Sequence, residues 1–171
     1  MIYVILDNIR SALNVGAIFR TADALGVGKL FLCGTTPVPG QSGKAGKELA
    51  KTALGAEGYV PWEKVKQTGD VIRRLKQEGF RVIALEQDRR AINIRDYRLR
   101  HSQKYALIVG YEVRGIDKRI LSRCDKIIYI PMFGKKESLN VSVAFGVAGY
   151  LLKFKKQTAK SKNIKQSSKI K

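Results

Sequence analysis

The chain has 171 residues, enough for one domain with a sizeable hydrophobic core. It contains 33 Lys and Arg against 14 Asp and Glu, for a formal net charge of +19 at pH 7. A charge of this size favours a polyanionic partner, with nucleic acid first and an anionic membrane second. Eight lysines lie from Lys153 onward, so the preceding residues, with 25 basic and 14 acidic side chains, keep a net charge of +11.

The cysteine and histidine content argues against a metal site. Cys33 and Cys124 stand far apart and His101 is the only histidine, so no pair has the ligand spacing of a zinc site. Two isolated cysteines are typical of reduced thiols in a cytoplasmic protein. No segment reaches the roughly 18 apolar residues of a membrane span, and no signal-peptide pattern is present. We therefore expect a cytoplasmic protein with no metal and no membrane segment.

Short apolar runs bounded by glycine, proline or polar residues predict strands that alternate with helices. The predicted strands cover residues 2–6, 29–33, 59–62, 81–85, 105–109 and 126–130, with an edge strand around Ile92 and Ile94. The predicted helices cover residues 14–25 (with Asn14 as N-cap), 44–54, 63–78 and 117–123, and a last helix follows 138–140. This alternation predicts an α/β fold with a mostly parallel sheet and helices on both faces.

The last predicted helix is apolar around nearly its whole circumference, so we expect it to be buried on most sides. Ser138 or Asn140 can cap its first turn, and Gly146 and Gly149 favour a tight helix contact. After Leu152 the composition changes to Lys, Ser, Gln and Asn, which predicts a disordered basic tail. We therefore expect one domain at 1–153 and a Lys-rich tail at 154–171.

The loops at the carboxyl ends of four predicted strands contain the most unusual polar residues of the chain. These loops begin at Asp7, Glu86, Gly110 and Pro131. Ligands of open parallel sheets bind outside the carboxyl ends of the strands, so we expect a site where these loops converge. The sequence contains no dinucleotide-binding glycine motif after the first strand, no P-loop and no Ser/His/Asp set, which excludes the commonest chemistries of such sheets.

Two candidate residues in these segments, Arg20 and Glu112, can also be interpreted as having a purely structural role. Arg20 follows the first loop on a helix and could bind a phosphate in bidentate fashion, although a solvated or ion-paired arginine is commoner. Gly110 and Gly115 bracket Glu112 just after a strand and allow a ligand to approach the backbone. Glu112 could equally cap the helix that begins near Asp117.

The third candidate group enters the apolar last helix. Ser138, Asn140 and Ser142 each need a polar partner there, because a buried polar group without one is costly. They could form one wall of a ligand pocket, or serve only as caps of the helix.

Together these segments resemble the three motifs of the SpoU/TrmH-type RNA 2′-O-ribose methyltransferases of the SPOUT superfamily. The first motif corresponds to Asn14-x-Gly16-x-x-x-Arg20 and the second to Val109-Gly110-x-Glu112-x-x-Gly115. The third corresponds to Ile130-Pro131-Met132-x-Gly134, followed by Ser138-Leu139-Asn140-Val141-Ser142-Val143-Ala144. Order and spacing agree over roughly residues 2–152. Tyr111 departs from the family, which often has Asn or another small polar residue at this position.

The resemblance implies a fold feature that periodicity does not predict, a deep trefoil knot in the C-terminal part of the sheet. It also implies that S-adenosylmethionine binds, in a bent form, in a cleft formed by the loops after three late strands. By position, the cofactor-binding residues are Leu85, Glu86, Gly110, Ile130, Met132, Ser138 and Leu139. The family is dimeric, so the resemblance further implies a homodimer in which the partner's first motif completes the site.

The same resemblance implies that Arg20 is the central catalytic residue, acting on a ribose 2′-hydroxyl with help from an RNA phosphate. Two roles remain open, because Arg20 could act as a base after losing a proton or could stabilise the developing alkoxide as a cation. The resemblance places Asn14, Glu112, Ser138 and Asn140 around it as residues that orient Arg20 and the methionine moiety.

The basic surface is expected to hold RNA, whose 2′-hydroxyl is the acceptor that DNA lacks. The candidate contacts are Lys44, Lys47, Lys51, Arg89, Arg90, Arg95, Arg98, Arg100 and the Lys-rich tail. By analogy, tRNA is favoured slightly over rRNA because the chain shows no added recognition domain. The rival interpretation is a non-catalytic basic RNA-binding protein, such as a ribosomal component, which explains the charge but not the three motifs.

Overall fold

The structure, a computed structural model, describes residues 1–111 and 114–167, with side chains described as far as Lys155. The strands are β1 (Ile2–Asp7), β2 (Lys29–Cys33), β3 (Trp62–Val65), β4 (Phe80–Leu85), β5 (Ile92–Asn93), β6 (Lys104–Gly110) and β7 (Lys126–Tyr129). The helices are α1 (Ala12–Ala24), α2 (Lys44–Ala53), α3 (Thr68–Gln77), α4 (Lys118–Leu121) and α5 (Val141–Ser167), with a 3-10 turn at Ala56–Gly58.

The described strands form one seven-stranded sheet in the order β3-β2-β1-β6-β4-β7-β5, and neighbouring strands pair in parallel. The predicted α/β fold with a parallel sheet is therefore confirmed. Parallel pairing brings the carboxyl ends of β1, β4, β6 and β7 to the same edge. This edge is where the sequence predicts the ligand site.

Both faces of the sheet are covered, which explains why the central strands read as continuous apolar runs rather than alternating ones. In β1, Val4 and Leu6 pack into one buried cluster and Ile5 into the other. The first cluster lies under α1, α2 and α5, and the second under α3 and α4. Helices therefore lie on both faces, as the alternation of elements predicts.

Three element boundaries differ from the prediction for local reasons. Helix α1 begins at Ala12, because Ser11 rather than Asn14 is its N-cap and accepts a hydrogen bond from the Asn14 amide at 3.3 Å. Strand β3 lies at Trp62–Val65, three residues later than predicted, because this segment pairs with the strand β2. Consequently α3 begins only at Thr68.

Helix α5 also differs, because it continues to Ser167 instead of ending near Leu152. Lys, Gln and Ala have high helix propensities, and no Gly or Pro interrupts the chain after Gly149, so the helix can propagate into the polar segment. The Lys155 ammonium donates hydrogen bonds to the carbonyl oxygens of Arg95 and Tyr97. Residues 154–167 thus continue the last helix, although we predicted a disordered tail there.

The start and packing of α5 agree with the prediction in part. Asn140 precedes the first helical residue and accepts a hydrogen bond from the Ser142 amide at 3.0 Å, so the predicted cap is confirmed. Gly149 packs against Leu25 at the end of α1, in the tight contact predicted for it. The predicted burial on most sides is wrong for the single chain, since one stripe of α5 is 39% to 59% exposed. This exposed stripe consists of Val143, Val147, Tyr150 and Phe154.

The connection from β5 to β6 crosses the same face of the sheet as α5. Its residues Ile94, Tyr97 and Leu99 are buried in one cluster with Phe145 and Leu152 of α5. The chain therefore passes this region twice, once before β6 and once after β7. Within the described residues, no helix is both long enough and apolar enough to span a membrane.

A buried carboxylate at the end of β1 leads to a stability prediction. Asp7 is only 4% exposed, and its Oδ1 accepts hydrogen bonds from Thr68 Oγ1 at 2.5 Å and Asn8 Nδ2 at 3.0 Å. Burial raises the pKa of Asp7 above its ordinary value of 3.8, and the two hydrogen bonds oppose this shift only in part. The stabilisation linked to this raised pKa is therefore complete below pH 3.8 and is lost as the pH rises through the native pKa.

We predict that Asp7→Asn, which keeps an acceptor for Thr68 but removes the buried charge, gains stability relative to wild type as the pH rises. The difference in the free energy of unfolding should grow as the pH rises above 3.8 and should level off once the pH exceeds the native pKa of Asp7. Urea unfolding of both proteins across this range measures it. A difference that is constant or shrinks with pH would contradict the prediction.

Candidate active site

The loops that follow β4, β6 and β7 meet at the carboxyl edge of the sheet and enclose a cavity of about 320 Å³. This volume lies at the lower end of the range typical of small-molecule sites. Its lining includes all seven residues predicted to bind a cofactor, namely Leu85, Glu86, Gly110, Ile130, Met132, Ser138 and Leu139. One cavity thus gathers residues that are up to 54 positions apart in the sequence, between Leu85 and Leu139.

Glu86 joins the first two of these loops. Its Oε2 accepts a hydrogen bond from the Ile116 amide at 2.8 Å, across to the loop after β6, and its Oε1 accepts one from the Gln87 amide at 2.9 Å. Hydrogen bonds to an ionised carboxylate are stronger than neutral ones, by roughly a factor of two. The Glu86 side chain therefore holds the loop after β6 against the end of β4.

Gln87 joins the third loop to the first. Its Nε2 donates a hydrogen bond to the carbonyl oxygen of Ile130 at 3.0 Å. The backbone continues the same connection, since the Glu86 amide donates to the carbonyl oxygen of Ile128 in β7 at 3.0 Å. Two adjacent side chains after β4 thus position both other walls of the cavity.

The two glycines of the second motif, Gly110 and Gly115, are each required for a different steric reason. A Cβ at Gly110 would overlap the side chain of Ile116, so the loop after β6 can fold back tightly only over a glycine. Gly115 has a φ of +65°, which L-residues rarely adopt, and a Cβ there would overlap the Glu86 carboxylate. Both glycines therefore permit the contact on which the loop arrangement depends.

The first and third motifs meet through their asparagines. Asn140 Nδ2 donates a hydrogen bond to Asn14 Oδ1 at 3.1 Å, and Asn140 Oδ1 accepts hydrogen bonds from the amide and hydroxyl of Ser142. This pairing ties the start of α1 to the start of α5, next to Ser138 and Leu139 of the cavity lining. Asn14 and Asn140 are thus in direct contact, and Ser138 lines the adjoining cavity.

Arg20 is the candidate that the single chain does not bring to the cavity. It lies on the exposed side of α1, six residues after Asn14, or about 9 Å further along a helix. It borders a separate depression together with Lys51 and Tyr150. Glu112, the remaining candidate, lies outside the described residues.

Sequence reasoning missed several residues of the cavity wall. They are Gln87, Tyr129 and Glu137, whereas Val141 and Ala144 of the same wall belong to the third motif. Gln87 and Tyr129 belong to none of the three motifs. Their positions next to the end of a predicted strand are the only feature of the sequence that could have identified them as site residues. Among the residues that the structure describes, no three side chains of His, Cys, Asp or Glu lie close enough together to hold a metal ion.

The cysteines have no part in this cavity lining. Burial raises the pKa of Cys33 and of Cys124 to about 12 in each case, because a thiolate is poorly solvated among apolar neighbours. Both thiols therefore stay protonated and unreactive near neutral pH.

We predict that Gly115→Ala destabilises the loop after β6 and the protein by about 1–3 kcal/mol, from the positive φ together with the overlap with Glu86. Gly134→Ala is the matched control, because a Cβ at Gly134 would meet open space. Urea unfolding of the two variants measures the difference. Equal stabilities would show that the backbone conformation at Gly115 is not required.

Known proteins resemble this chain in sequence and in fold. A family model, described as the SpoU rRNA Methylase family, matches residues 1–150. The tRNA (guanosine(18)-2′-O)-methyltransferase of Aquifex aeolicus (strain VF5) is 33% identical over 147 residues, covering 86% of this chain and 66% of that enzyme. The chain spans about two-thirds or less of the length of the curated relatives it matches.

Two solved structures share the fold. The AdoMet-bound rRNA methyltransferase from Sinorhizobium meliloti has a TM-score of 0.76 at 26% identity, covering 88% of this chain and 54% of that one. A structure described as giving insights into the 2-OH methylation of C/U34 on tRNA has a TM-score of 0.78 at 28% identity, covering 92% and 97% respectively. Since the family model covers every strand of the sheet and all three motifs, this chain belongs to the SpoU rRNA methylase family.

Proposed function

We propose that this protein is an S-adenosylmethionine-dependent RNA methyltransferase that transfers a methyl group to a ribose 2′-hydroxyl. The observation that carries the proposal is the single cavity formed by the second and third motifs, to which the Asn14–Asn140 hydrogen bond joins the first. Its location at the carboxyl edge of a parallel sheet is the usual one for ligands. Relatives whose names specify tRNA and rRNA methylation support the same activity.

The residues of the cavity suit S-adenosylmethionine. Leu85, Ile130, Met132 and Leu139 provide apolar walls for an adenine ring, and the loop backbone beside Gly110 provides polar groups at its edge. The carboxylates of Glu86 and Glu137 lie in the same lining, where they complement a positively charged ligand. When bound, the cofactor supplies a methyl group carried on a sulfonium sulfur, and the leaving group is the neutral thioether.

In this proposal Arg20 acts on the 2′-hydroxyl as a cation. A guanidinium normally remains protonated in proteins, so electrostatic stabilisation of the developing alkoxide is the role that needs no unusual protonation state. Asn14, Asn140 and Ser138 hold the acceptor and the methyl donor in line, and we keep Glu112 among the orienting residues. The hydroxyl proton leaves to solvent or an RNA phosphate.

We propose that two copies of the chain form the working enzyme, because Arg20 lies away from the cavity of its own chain. The exposed stripe of α5 lies beside Ala17 of α1 and forms an apolar surface next to Arg20. Burying such side chains is worth about 1.5–3 kcal/mol each, which favours a second apolar surface as the partner. A symmetric dimer through this surface would bring the first motif of one chain towards the cavity of the other.

We also propose the trefoil knot of the family for the C-terminal part of the sheet. Strand β7 lies between β4 and β5, although it follows both in the sequence. The connection from β5 to β6 shares one face of the sheet with α5, and Lys155 binds its backbone. A chain segment that crosses over the path of a later helix in this way is what a knot requires.

RNA is the proposed partner, and tRNA the favoured class. The related structure described for C/U34 methylation on tRNA aligns over 97% of its length, so a chain of this size is compatible with that substrate. Most of the predicted RNA contacts are exposed, including Lys44, Lys47 and Lys51 on α2. Arg90 is less available, because its guanidinium pairs with Asp88 and lowers the pKa of that carboxyl to about 2.

We expect the domain to end near Lys153, with the Lys-rich segment adding RNA contacts in the cytoplasm.

We predict that the protein transfers methyl groups from labelled S-adenosylmethionine to ribose 2′-oxygens of total RNA, and that Arg20→Ala lowers this rate about 100- to 10,000-fold. Arg20→Lys should keep part of the activity, because it keeps the charge but loses the bidentate geometry. Arg73→Ala is the control, since Arg73 is an exposed arginine on α3, on the opposite face of the sheet.

The same experiment tests the rival function. If no RNA is labelled and calorimetry detects no binding of S-adenosylmethionine to the wild-type protein, the enzyme proposal fails and a basic RNA-binding module takes its place. If RNA is labelled equally by wild type and Arg20→Ala, the enzyme proposal stands and the role given to Arg20 is wrong.

We predict that Val147→Asp and Tyr150→Asp convert a dimer to monomers and abolish methyl transfer, because a charge in an apolar interface loses its hydration. Tyr59→Asp is the control, as Tyr59 is a 78% exposed aromatic residue outside the stripe. Sedimentation velocity measures the assembly. Dimers that survive both substitutions would place the interface elsewhere.

A further inference from the structure

The loop between Pro131 and Asn140 carries an aromatic side chain that the cavity does not use. Phe133 is 89% exposed, more than any other large hydrophobic residue described. Met132, directly before it, and Glu137, later in the same loop, both line the cavity, so the loop that carries Phe133 borders the cavity mouth. Open space surrounds the backbone of Gly134, which shows that the loop tip is accessible.

Cationic side chains flank this aromatic residue. Lys135 and Lys136 are exposed, and neither takes part in a hydrogen bond or ion pair among those found in the described residues. Arg114, from the loop after β6, is exposed and lines the same cavity. The mouth of the cavity therefore combines an aromatic ring with free positive charge, which is the combination that binds single-stranded nucleic acid.

A second ring lies at the same mouth. Tyr111 lines the cavity, and the guanidinium of Arg10 lies over its ring at 4.7 Å from the ring centroid. This cation–π contact orients the ring and adds a planar cation from the loop that leads into α1.

We propose that Phe133 and the Tyr111–Arg10 pair are stacking platforms for bases of an unpaired RNA segment, with Lys135, Lys136 and Arg114 on its phosphates. Bases in an A-form helix are covered above and below by their neighbours, so an aromatic side chain can stack on them only where the RNA is unpaired. The target nucleotide therefore lies in a loop or single-stranded region rather than in a helix. This inference rests on the proposed function and specifies the conformation of its substrate.

The first test compares two labelled RNA probes, a hairpin with an open loop and a fully paired duplex of matching length. Phe133→Ala should weaken binding of the hairpin about 5- to 100-fold, as expected for the loss of one stacked base, and should leave the duplex unaffected. Phe133→Trp should restore the hairpin affinity, because tryptophan offers a larger stacking face. Tyr59→Ala, which removes another highly exposed ring, should change neither.

The second test concerns the lysines. The double variant Lys135→Ala/Lys136→Ala should reduce the dependence of hairpin affinity on salt, by roughly 0.7 in the log–log slope for each phosphate that is no longer neutralised. Lys126→Ala is the control, because Lys126 is an exposed lysine at the opposite end of β7. An unchanged slope in the double variant would show that these two lysines do not neutralise RNA phosphates.

These outcomes can be separated from failure of the proposed function. Calorimetry with S-adenosylmethionine should give wild-type affinity for Phe133→Ala, since Phe133 does not line the cavity. If wild type methylates RNA while Phe133→Ala binds and methylates the hairpin normally, or if wild type prefers the duplex, the inference is overturned and the proposed function stands. If Phe133→Ala instead dissociates a dimer in sedimentation, the ring belongs to a protein interface and the inference is likewise overturned.

Discussion

The carboxylate of Glu86 is the contact on which the arrangement of the site depends. It lies just after β4, which pairs with both β6 and β7, and accepts a backbone hydrogen bond from Ile116 in the loop after β6. Gln87 continues the connection to Ile130 after β7. Loops on a sheet edge tend to be mobile, so side chains that pair with their backbones limit that freedom. Gly115 is needed because any side chain there would occupy the place of this carboxylate.

The single chain assembles only part of the expected chemistry. Its cavity has an apolar wall, two carboxylates and a polar edge, and these features suit a cationic methyl donor. Arg20 lies on a different surface, beside the exposed apolar stripe of α5. One physical cause accounts for both observations in our proposal, since a second chain would cover the stripe and supply the arginine. The apolar character of α5 is then an adaptation to an interface rather than to the core alone.

In our proposal the positive charge acts both over the whole surface and, more specifically, at the cavity mouth. Lysines and arginines are spread over much of the surface, and each one separately is an ordinary solvated side chain. At the cavity mouth they lie beside Phe133 and Tyr111, where stacking can fix a base while the cations neutralise its phosphates. General electrostatic attraction would bring RNA to the protein, and the aromatic groups would select an unpaired nucleotide for the reaction.

Sequence patterns alone predict the α/β class, most of the strands and the motifs from which the cavity is built. These features are local, because strand and helix periods and short motifs are written in consecutive residues. Three features become visible only in the folded chain: β7 lies between β4 and β5, Ser11 caps α1, and Glu86 accepts a hydrogen bond from Ile116. Each of these depends on which distant segments become neighbours, and a one-dimensional pattern does not specify that. The same dependence on distant neighbours explains why the prediction for α5 is wrong. Its apolar circumference predicts burial on most sides, but one stripe of the helix faces outward in the single chain.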